Sequence, residues 1–440
     1  MGKYYIVTLG CQMNKNDSER ISGLLNSLGL EITDKPGQAD LLLVNTCSVR
    51  QHAEDRVFGL VRNWQKLRKD KPNLIVGVTG CMPGRDKDGK LKDKIPGADL
   101  FFATQDLVML PKWIKELNPG LIECTDELSD YLFINPSRQD KAKAFITIQT
   151  GCNNFCTYCV VPYARGREKN RPVEEILNEI KNAVAEGCRE ATLLGQVVNN
   201  YKARDPESFQ AGNPFKNKDD FAALLWEVNQ IEGIERINWT AADPQYFNGH
   251  QIEALKLPKQ INYLHLPAQS GDDEVLKKMN RKYTREFYID LMKRIRAARP
   301  EIAIGTDLIV GFCGETEEQF QNTLDLYKQC DFDISYHAMY SSRSGTAAAK
   351  AFKDDVPQEE KKRRWRAVQD LMEETTYRKN QKYLNQIVSV LVEKCEEGIC
   401  EGNSSEMKLT QFPGDESLIG RIVEVKVMRP EMWILRGILI

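Results

Sequence analysis

The sequence predicts an α/β protein in three parts: an N-terminal parallel α/β domain, a central partial (β/α) barrel and a small C-terminal β-barrel. Three patterns carry that expectation. Over residues 1–118, short apolar runs alternate with helical periodicity. From about 138 to 375 the alternation of strands and helices resumes. The last stretch, 376–440, changes to short alternating strands separated by turn signals.

In the first part, "YYIVTLG", "LLLVNT" and "LIVGVTG" are nearly continuous in apolar residues, as strands buried on both faces must be. The helical patterns "DSERISGLLNSLGL" and "VRQHAEDRVFGLVRNWQKL" lie between them. This β-α-β-α-β order gives a parallel sheet with helices on its faces. The three runs end at or just before Cys11, Cys47 and Cys81. The functional edge of such a sheet is at the carboxyl ends of its strands, so the three thiols should converge there.

A linker spans about 119–140, and "KAFITIQTGC" then repeats the strand-then-cysteine design. Candidate strands follow at 190–195, 236–240, 263–268, 302–311 and 334–340, with helical patterns between them. Residues 201–218 read as a long polar loop. A barrel of this kind builds its site from loops at the strand C-termini. A charged helix is expected over about 358–384, and the strands of the tail suggest a small closed barrel.

The bulk numbers bound the function. A chain of 440 residues holds two to four domains. No run approaches the length of a membrane span, and the N-terminus enters a strand with no signal-peptide h-region, so a cytoplasmic protein is expected. A net charge of −2 gives no global basic footprint for nucleic acid. The local basic clusters "KLRKDK" (66–71) and "KKRRWR" (361–366) read as solvated helix faces. Twelve cysteines in a chain of this length and expected compartment argue against a disulfide scaffold and for metal binding or catalysis.

The chemistry centres on "GCNNFCTYC", residues 151–159. Cys152, Cys156 and Cys159 form a C-x3-C-x2-C loop after a strand. Three thiolates hold three irons of a [4Fe–4S] cube and leave the fourth without a protein ligand. The competing reading is a zinc knuckle short of one ligand, or unrelated buried cysteines. The spacing resembles the radical S-adenosylmethionine (SAM) superfamily, in which SAM chelates the open iron and is cleaved to a 5′-deoxyadenosyl radical. Tyr158 stands where that superfamily places an aromatic residue. Cys11, Cys47 and Cys81 are a second trio, able to carry a second cluster with another open iron. A lone cysteine is usually a small buried hydrophobe, but three at equivalent topological positions make that reading weak.

With "GCQMNKNDSE", "NTCSVRQHAEDRVFG", "GCNNFCTYCVVPYARGRE", "TLLGQ", "HLPAQSG", "MNRKYT" and "GTDLIVGF" in this order, the chain resembles the methylthiotransferases over nearly its whole length. The resemblance implies a Rossmann/flavodoxin-like methylthiotransferase domain (1–118), a radical-SAM partial TIM-type barrel (138–375) and an OB-like TRAM domain (376–440). It implies two [4Fe–4S] clusters and SAM as cofactors. One SAM methylates a sulfur on the second cluster, and another supplies the radical that takes hydrogen from the substrate carbon. "CSVRQHAEDRVFG" resembles the branch acting on carbon 2 of N6-isopentenyladenosine beside the tRNA anticodon. The alternatives are the branches acting on an aspartate of a ribosomal protein or on N6-threonylcarbamoyladenosine. A tRNA-binding protein with purely structural clusters is a reading of a different class. The implied partners are a tRNA anticodon stem-loop, SAM and a reductant such as flavodoxin, around a monomer.

A tRNA substrate demands phosphate contacts and an unstacked base. Yet from residue 384 onward there are 6 Lys+Arg against 9 Asp+Glu, a net of −3. A local basic face would have to come from Lys408, Lys426, Arg429 and Arg436, with help from Lys361, Lys362, Arg363 and Arg364. Gln196, Gln269, Ser270 and Asp307 are polar groups at or near the expected rim, able to bind SAM or the base, or to hydrogen-bond their own loops. Arg165 and Arg167 are candidates for SAM or phosphate contact, and His265 for a packed strand residue. Cys395 and Cys400 read as structural, and Cys124, Cys188, Cys313 and Cys330 lack partners at metal spacing. Three segments depart from the family pattern: Cys313 replaces a usual proline, "TAADP" (240–244) a usual Ser-His-Pro turn, and "SRSGT" (342–346) lacks its proline.

Overall fold

The structure is a computed structural model that describes residues 2–48, 51–123, 129–138 and 140–440. Cys124 lies outside the described residues. The chain divides into two compact units, one of Met1–Gln139 with Thr150–Asn153 and Cys159–Lys169, the other of the remainder.

The first unit is built on a five-stranded parallel sheet. Its strands are Lys3–Leu9, Glu31–Ile32, Leu41–Thr46, Ile75–Gly80 and Leu100–Phe102. In space the second strand lies outside the first, and the third, fourth and fifth follow on its other side. This is the flavodoxin-like order, whose direction of winding reverses between the first and third strands. Every residue of Leu41–Thr46 and Ile75–Gly80 is buried, which is why those two runs are nearly continuous in apolar residues. Helices Gln12–Ser27 and Gln51–Gln65 make the crossovers, and their apolar stripes build two cores, one on each sheet face.

The second unit contains six parallel strands in two groups of three: Lys143–Thr147, Glu190–Leu194 and Arg236–Trp239, then Tyr263–His265, Ala303–Val310 and Ile334–Met339. A parallel bridge from Ile237 to Gln260 links the groups. Alternate residues of these strands, such as Ala144, Ile146, Ala191, Leu193, Ile237, Leu264, Leu308 and Val310, pack with helical residues into one large core. The residues between them point to the opposite face of the strands. Residues 201–218 form turns around one short 3-10 helix, Pro206–Ser208, and they are not a solvated loop. Tyr201, Phe209 and Phe215 are buried in the main core, and the Asn213 side chain donates to Glu227 at 2.9 Å.

The tail is a closed five-stranded barrel of Ile387–Glu396, Ile399–Ser404, Leu409–Pro413, Leu435–Leu439 and Ile422–Pro430, in that spatial order. Glu397 and Gly398 both take positive φ in the first hairpin, the geometry of a two-residue turn that matches strand twist. That turn sets Cys395 opposite Cys400, and the structure joins them in a disulfide. Their structural reading stands, but the pairing was not anticipated. The barrel is seated on the six-stranded sheet by Arg236, which donates to the Ser389 carbonyl at 2.6 Å and the Asn403 carbonyl at 2.9 Å.

The basic segment 361–366 and Lys408 of the tail behave differently from expectation. Lys361 and Arg364, within the helix Gln358–Asn380, are buried rather than solvated. Arg364 pairs with the Glu315 carboxylate at 2.8 Å, and the Lys361 ammonium donates to the Tyr340 carbonyl at 3.1 Å. Lys408 is also buried, 3.7 Å from Asp333, which already receives Lys379 at 2.9 Å. These cations hold the helix and the C-terminal barrel against the strands. They are removed from the candidate phosphate-binding set, which leaves Lys426, Arg429 and Arg436 on the barrel.

Candidate active site

Cys11 and Cys47 follow the first and third strands of the first unit, and Cys81 follows the fourth. Leu9 pairs with Thr46 and Thr46 with Gly80, so the three positions stand side by side at the carboxyl ends. Cys11 and Cys47 flank the point where the winding reverses, the ordinary ligand site of such a sheet. Gly10 takes φ +148°, and a β-carbon there would stand 2.7 Å from the β-carbon of Cys47. Only glycine lets these two turns approach so closely.

Polar residues fix the turns that carry the thiols. The Asn14 carboxamide oxygen accepts from the Cys11 thiol at 3.3 Å, while its nitrogen donates to Asn45 at 3.1 Å. Asn45 returns a bond to the Asn14 carbonyl at 2.8 Å. Next to Cys47, the Ser48 hydroxyl donates to Glu54, and Arg85, one turn beyond Cys81, closes on Glu54 at 2.8 Å. Cys81 lies below Arg165, whose guanidinium pairs with Asp17 at 2.6 Å with both side chains almost fully buried. Burial pushes the Cys81 thiol up, and the Arg165 charge works against that shift. Burial also opposes the Arg165 charge, but Asp17 and its neighbours hold the guanidinium well above the usual arginine value. The sequence made Arg165 a candidate for SAM or phosphate contact; here its guanidinium is instead committed to Asp17. Arg165 and Arg167 line a pocket of about 310 Å³ with Tyr131, Thr150 and Lys169, and the Tyr131 hydroxyl, pushed up to about 12 by burial, donates to Thr150 at 3.2 Å.

The loop of Cys152, Cys156 and Cys159 begins at Gly151, where φ is +73° and a β-carbon would meet the Arg167 carbonyl at 2.1 Å. The Cys152 amide donates to the Gly166 carbonyl at 3.2 Å, and the Cys159 sulfur accepts from the Val161 amide at 3.4 Å. Cys156, in the second unit, accepts from the Arg281 guanidinium at 3.4 Å. Arg281 in turn pairs with Asp243 at 3.0 Å, both buried. Asn154 donates to the same carboxylate at 2.9 Å, and Asn280 donates to the Asn154 and Phe155 carbonyls at 3.0 and 3.1 Å. Sequence reading missed the Asp243–Arg281 pair. The signals were present: Arg281 lies in "MNRKYT", and Asp243 in the "TAADP" turn that departs from the family pattern.

The other expected site residues lie in the second unit. Tyr158 packs with Phe312, Cys313 and Tyr340. The Gln196 carboxamide oxygen is buried without a hydrogen-bond partner among the described residues. Gln269 takes φ +65°, and its amide donates to the Asp307 carbonyl at 2.8 Å. The Ser270 hydroxyl accepts from the Asp272 amide at 3.3 Å. His265 is a strand residue whose Nε2 lies 3.1 Å from Asp307. Cys188 and Cys330 are buried in the main core, where a cysteine packs as a small hydrophobe.

Residues 146–327 match the model of the Radical SAM superfamily, and residues 3–103 match that of uncharacterized protein family UPF0004. A tRNA-2-methylthio-N(6)-dimethylallyladenosine synthase of Carboxydothermus hydrogenoformans is 41% identical over 446 residues, covering 99% of both chains. The chain belongs to that synthase family. Relatives of the same name from Clostridium botulinum and Geobacillus kaustophilus are each 40% identical, covering 99% and 100% of this chain and 97% and 82% of their own. The fold is similar to that of the radical SAM methyltransferase TsrM from Kitasatospora setae, with TM-score 0.56 and 12% identity over 79% of this chain and 75% of that one. The cobalamin-dependent radical enzyme OxsB gives TM-score 0.53 at 12% identity, over 86% and 56%.

The family uses SAM and [4Fe–4S] clusters, and the donor sets fit such clusters. Each trio is made of cysteines alone, the ligand type of an iron–sulfur cube. Among the described residues no three His, Cys, Asp or Glu side chains gather around the position of one metal ion. Thiolates that each take a different iron need not gather so closely.

Proposed function

We propose that this chain attaches a methylthio group to carbon 2 of N6-isopentenyladenosine next to the anticodon of tRNA. Cys152, Cys156 and Cys159 hold one cluster and Cys11, Cys47 and Cys81 the other. When bound, the loop cluster supplies the electron that cleaves SAM, and the other carries the sulfur that is methylated and transferred. The remaining work falls to the chain. Asn14 and Asn45 orient the turn of Cys11, the Ser48–Glu54–Arg85 group orients that of Cys47, and Arg281 donates toward the sulfur of Cys156. Gln196, with its unpartnered oxygen, along with Tyr158, Gln269, Ser270 and Asp307, furnishes the SAM and base contacts.

The observation that carries this reading is the second trio at the winding reversal of a flavodoxin-like sheet. A radical enzyme that only cleaves SAM needs one open cluster; a transferase of sulfur needs a place to hold it. We assign the segments 1–118, 138–375 and 376–440 to a methylthiotransferase domain, a radical-SAM domain and a TRAM domain. The last would grip the anticodon stem through Lys426, Arg429 and Arg436. The protein would work as a monomer in the cytoplasm with a flavodoxin-type reductant, and among the described residues no helix is long and apolar enough to cross a membrane.

Deleting the gene and separating tRNA nucleosides by mass spectrometry tests the assignment. Loss of the 2-methylthio-isopentenyl nucleoside with accumulation of isopentenyladenosine is expected. An unchanged nucleoside profile contradicts it.

A further inference from the structure

The face of the six-stranded sheet opposite the helices carries a group of side chains that cluster binding does not use. Along Ala303–Val310, residues Ile304, Leu308 and Val310 enter the helix-side core. Gly305, Asp307 and Ile309 therefore face the other way. On the neighbouring strands, Tyr263 and His265 flank the core residue Leu264, and Tyr336 pairs in register with Asp307.

These residues form a connected set. His265 Nε2 lies 3.1 Å from Asp307 Oδ2, and its Nδ1 lies 3.3 Å from the Tyr263 hydroxyl. The His265 and Tyr336 rings are 5.6 Å apart. His265 is thereby fixed at both nitrogens, and it fixes one Asp307 oxygen. The other, Oδ1, has no protein partner among the described residues, and the Asp307 side chain is 39% exposed. Tyr336 is 53% exposed, an unusual state for a large aromatic on the face of a barrel strand. One step closer to the strands' carboxyl ends, Ile309, half-buried against Phe312 and Tyr340, pairs with the exposed Ala338 on the same face, and the two make a short apolar strip.

An exposed ring beside an oriented carboxylate oxygen and an apolar strip has the chemistry of a purine site. The ring stacks a base, the carboxylate accepts an exocyclic N–H, and the apolar strip takes an alkyl substituent. We infer that Asp307 and Tyr336, oriented by His265, bind the extruded adenine of the tRNA, with Asp307 accepting the N6–H and Tyr336 stacking on the ring. This assignment rests on the tRNA reading above. It settles, for Asp307, the choice between SAM and base in favour of the base.

The test uses the anaerobically purified, cluster-loaded protein. Affinity is measured for an anticodon stem-loop carrying N6-isopentenyladenosine, for the same stem-loop with an abasic residue at that position, and for SAM. The wild type is expected to prefer the base-bearing stem-loop. Asp307→Asn and Tyr336→Ala should each weaken it about tenfold, as loss of a charge-assisted hydrogen bond or a stacked base does. Both should leave the abasic stem-loop bound as by the wild type. Tyr336→Phe keeps the ring and should bind near wild-type strength. Iron content and circular dichroism confirm that each variant is folded. If the variants keep full preference for the base, or if Asp307→Asn weakens SAM instead, the assignment is overturned. If the wild type binds neither stem-loop, the tRNA reading itself fails and this assignment falls with it.

Discussion

Replacing Cys152, Cys156 and Cys159 with serine is expected to reduce cleavage of SAM to 5′-deoxyadenosine to background. A serine hydroxyl is not ionised near neutral pH and does not replace a thiolate at iron. The loop is already shaped around these sulfurs: the Val161 amide donates to Cys159 and the Arg281 guanidinium to Cys156. Both are donors suited to a negative sulfur. Serine at Cys11, Cys47 and Cys81 should have the complementary effect. Radical formation continues and product falls to background, because the sulfur-bearing site is gone. Product nucleoside and 5′-deoxyadenosine, measured in the same anaerobic reaction, separate the two results. Cleavage that survives the loop substitutions would remove the radical-SAM assignment of that loop.

Arg165→Met should destabilise the protein by about 3–5 kcal/mol, the usual cost of leaving one charge of a buried pair without its partner. Asp17 and Arg165 side chains are only 2% and 4% exposed, and their oxygen and nitrogen stand 2.6 Å apart. Removing the guanidinium strands the Asp17 carboxylate and also lifts the charge that opposes the rise at Cys81. Adding Asp17→Ala to Arg165→Met should recover much of the loss, since the stranded carboxylate is then absent. Urea unfolding of the metal-free variants measures both values. A single-variant change within about 0.5 kcal/mol, the range of a surface substitution, would show that the pair is not the buried anchor described.

Much of the frame was legible because its signals are local. Leu41–Thr46 and Ile75–Gly80 are fully buried, so their runs are nearly continuous in apolar residues and their ends at Cys47 and Cys81 are plain. The spacing of Cys152, Cys156 and Cys159 is a single loop and needs no fold to be read. The flavodoxin-like order was not legible in detail. Glu31–Ile32 has two residues and Leu100–Phe102 three, too short for any periodicity.

Charge was the least legible property. "KKRRWR" looks like a solvated face, yet Lys361 and Arg364 are buried against acceptors supplied by distant segments, Tyr340 and Glu315. The same holds for Lys408 beside Asp333 and for Arg165 beside Asp17. A buried cation is identified by its partner, and these partners are far away in the chain. The Asp243–Arg281 pair at Cys156 was missed for the same reason.

The central claim is that the chain holds two clusters, one on each trio of cysteines. Mössbauer spectroscopy with iron and sulfide analysis of the reconstituted wild type and of the two triple-serine variants tests it directly. The account predicts about eight irons per wild-type chain and about four in each variant, all in [4Fe–4S] form. A wild type that stops at four, or a Cys11, Cys47 and Cys81 variant that keeps eight, would contradict it.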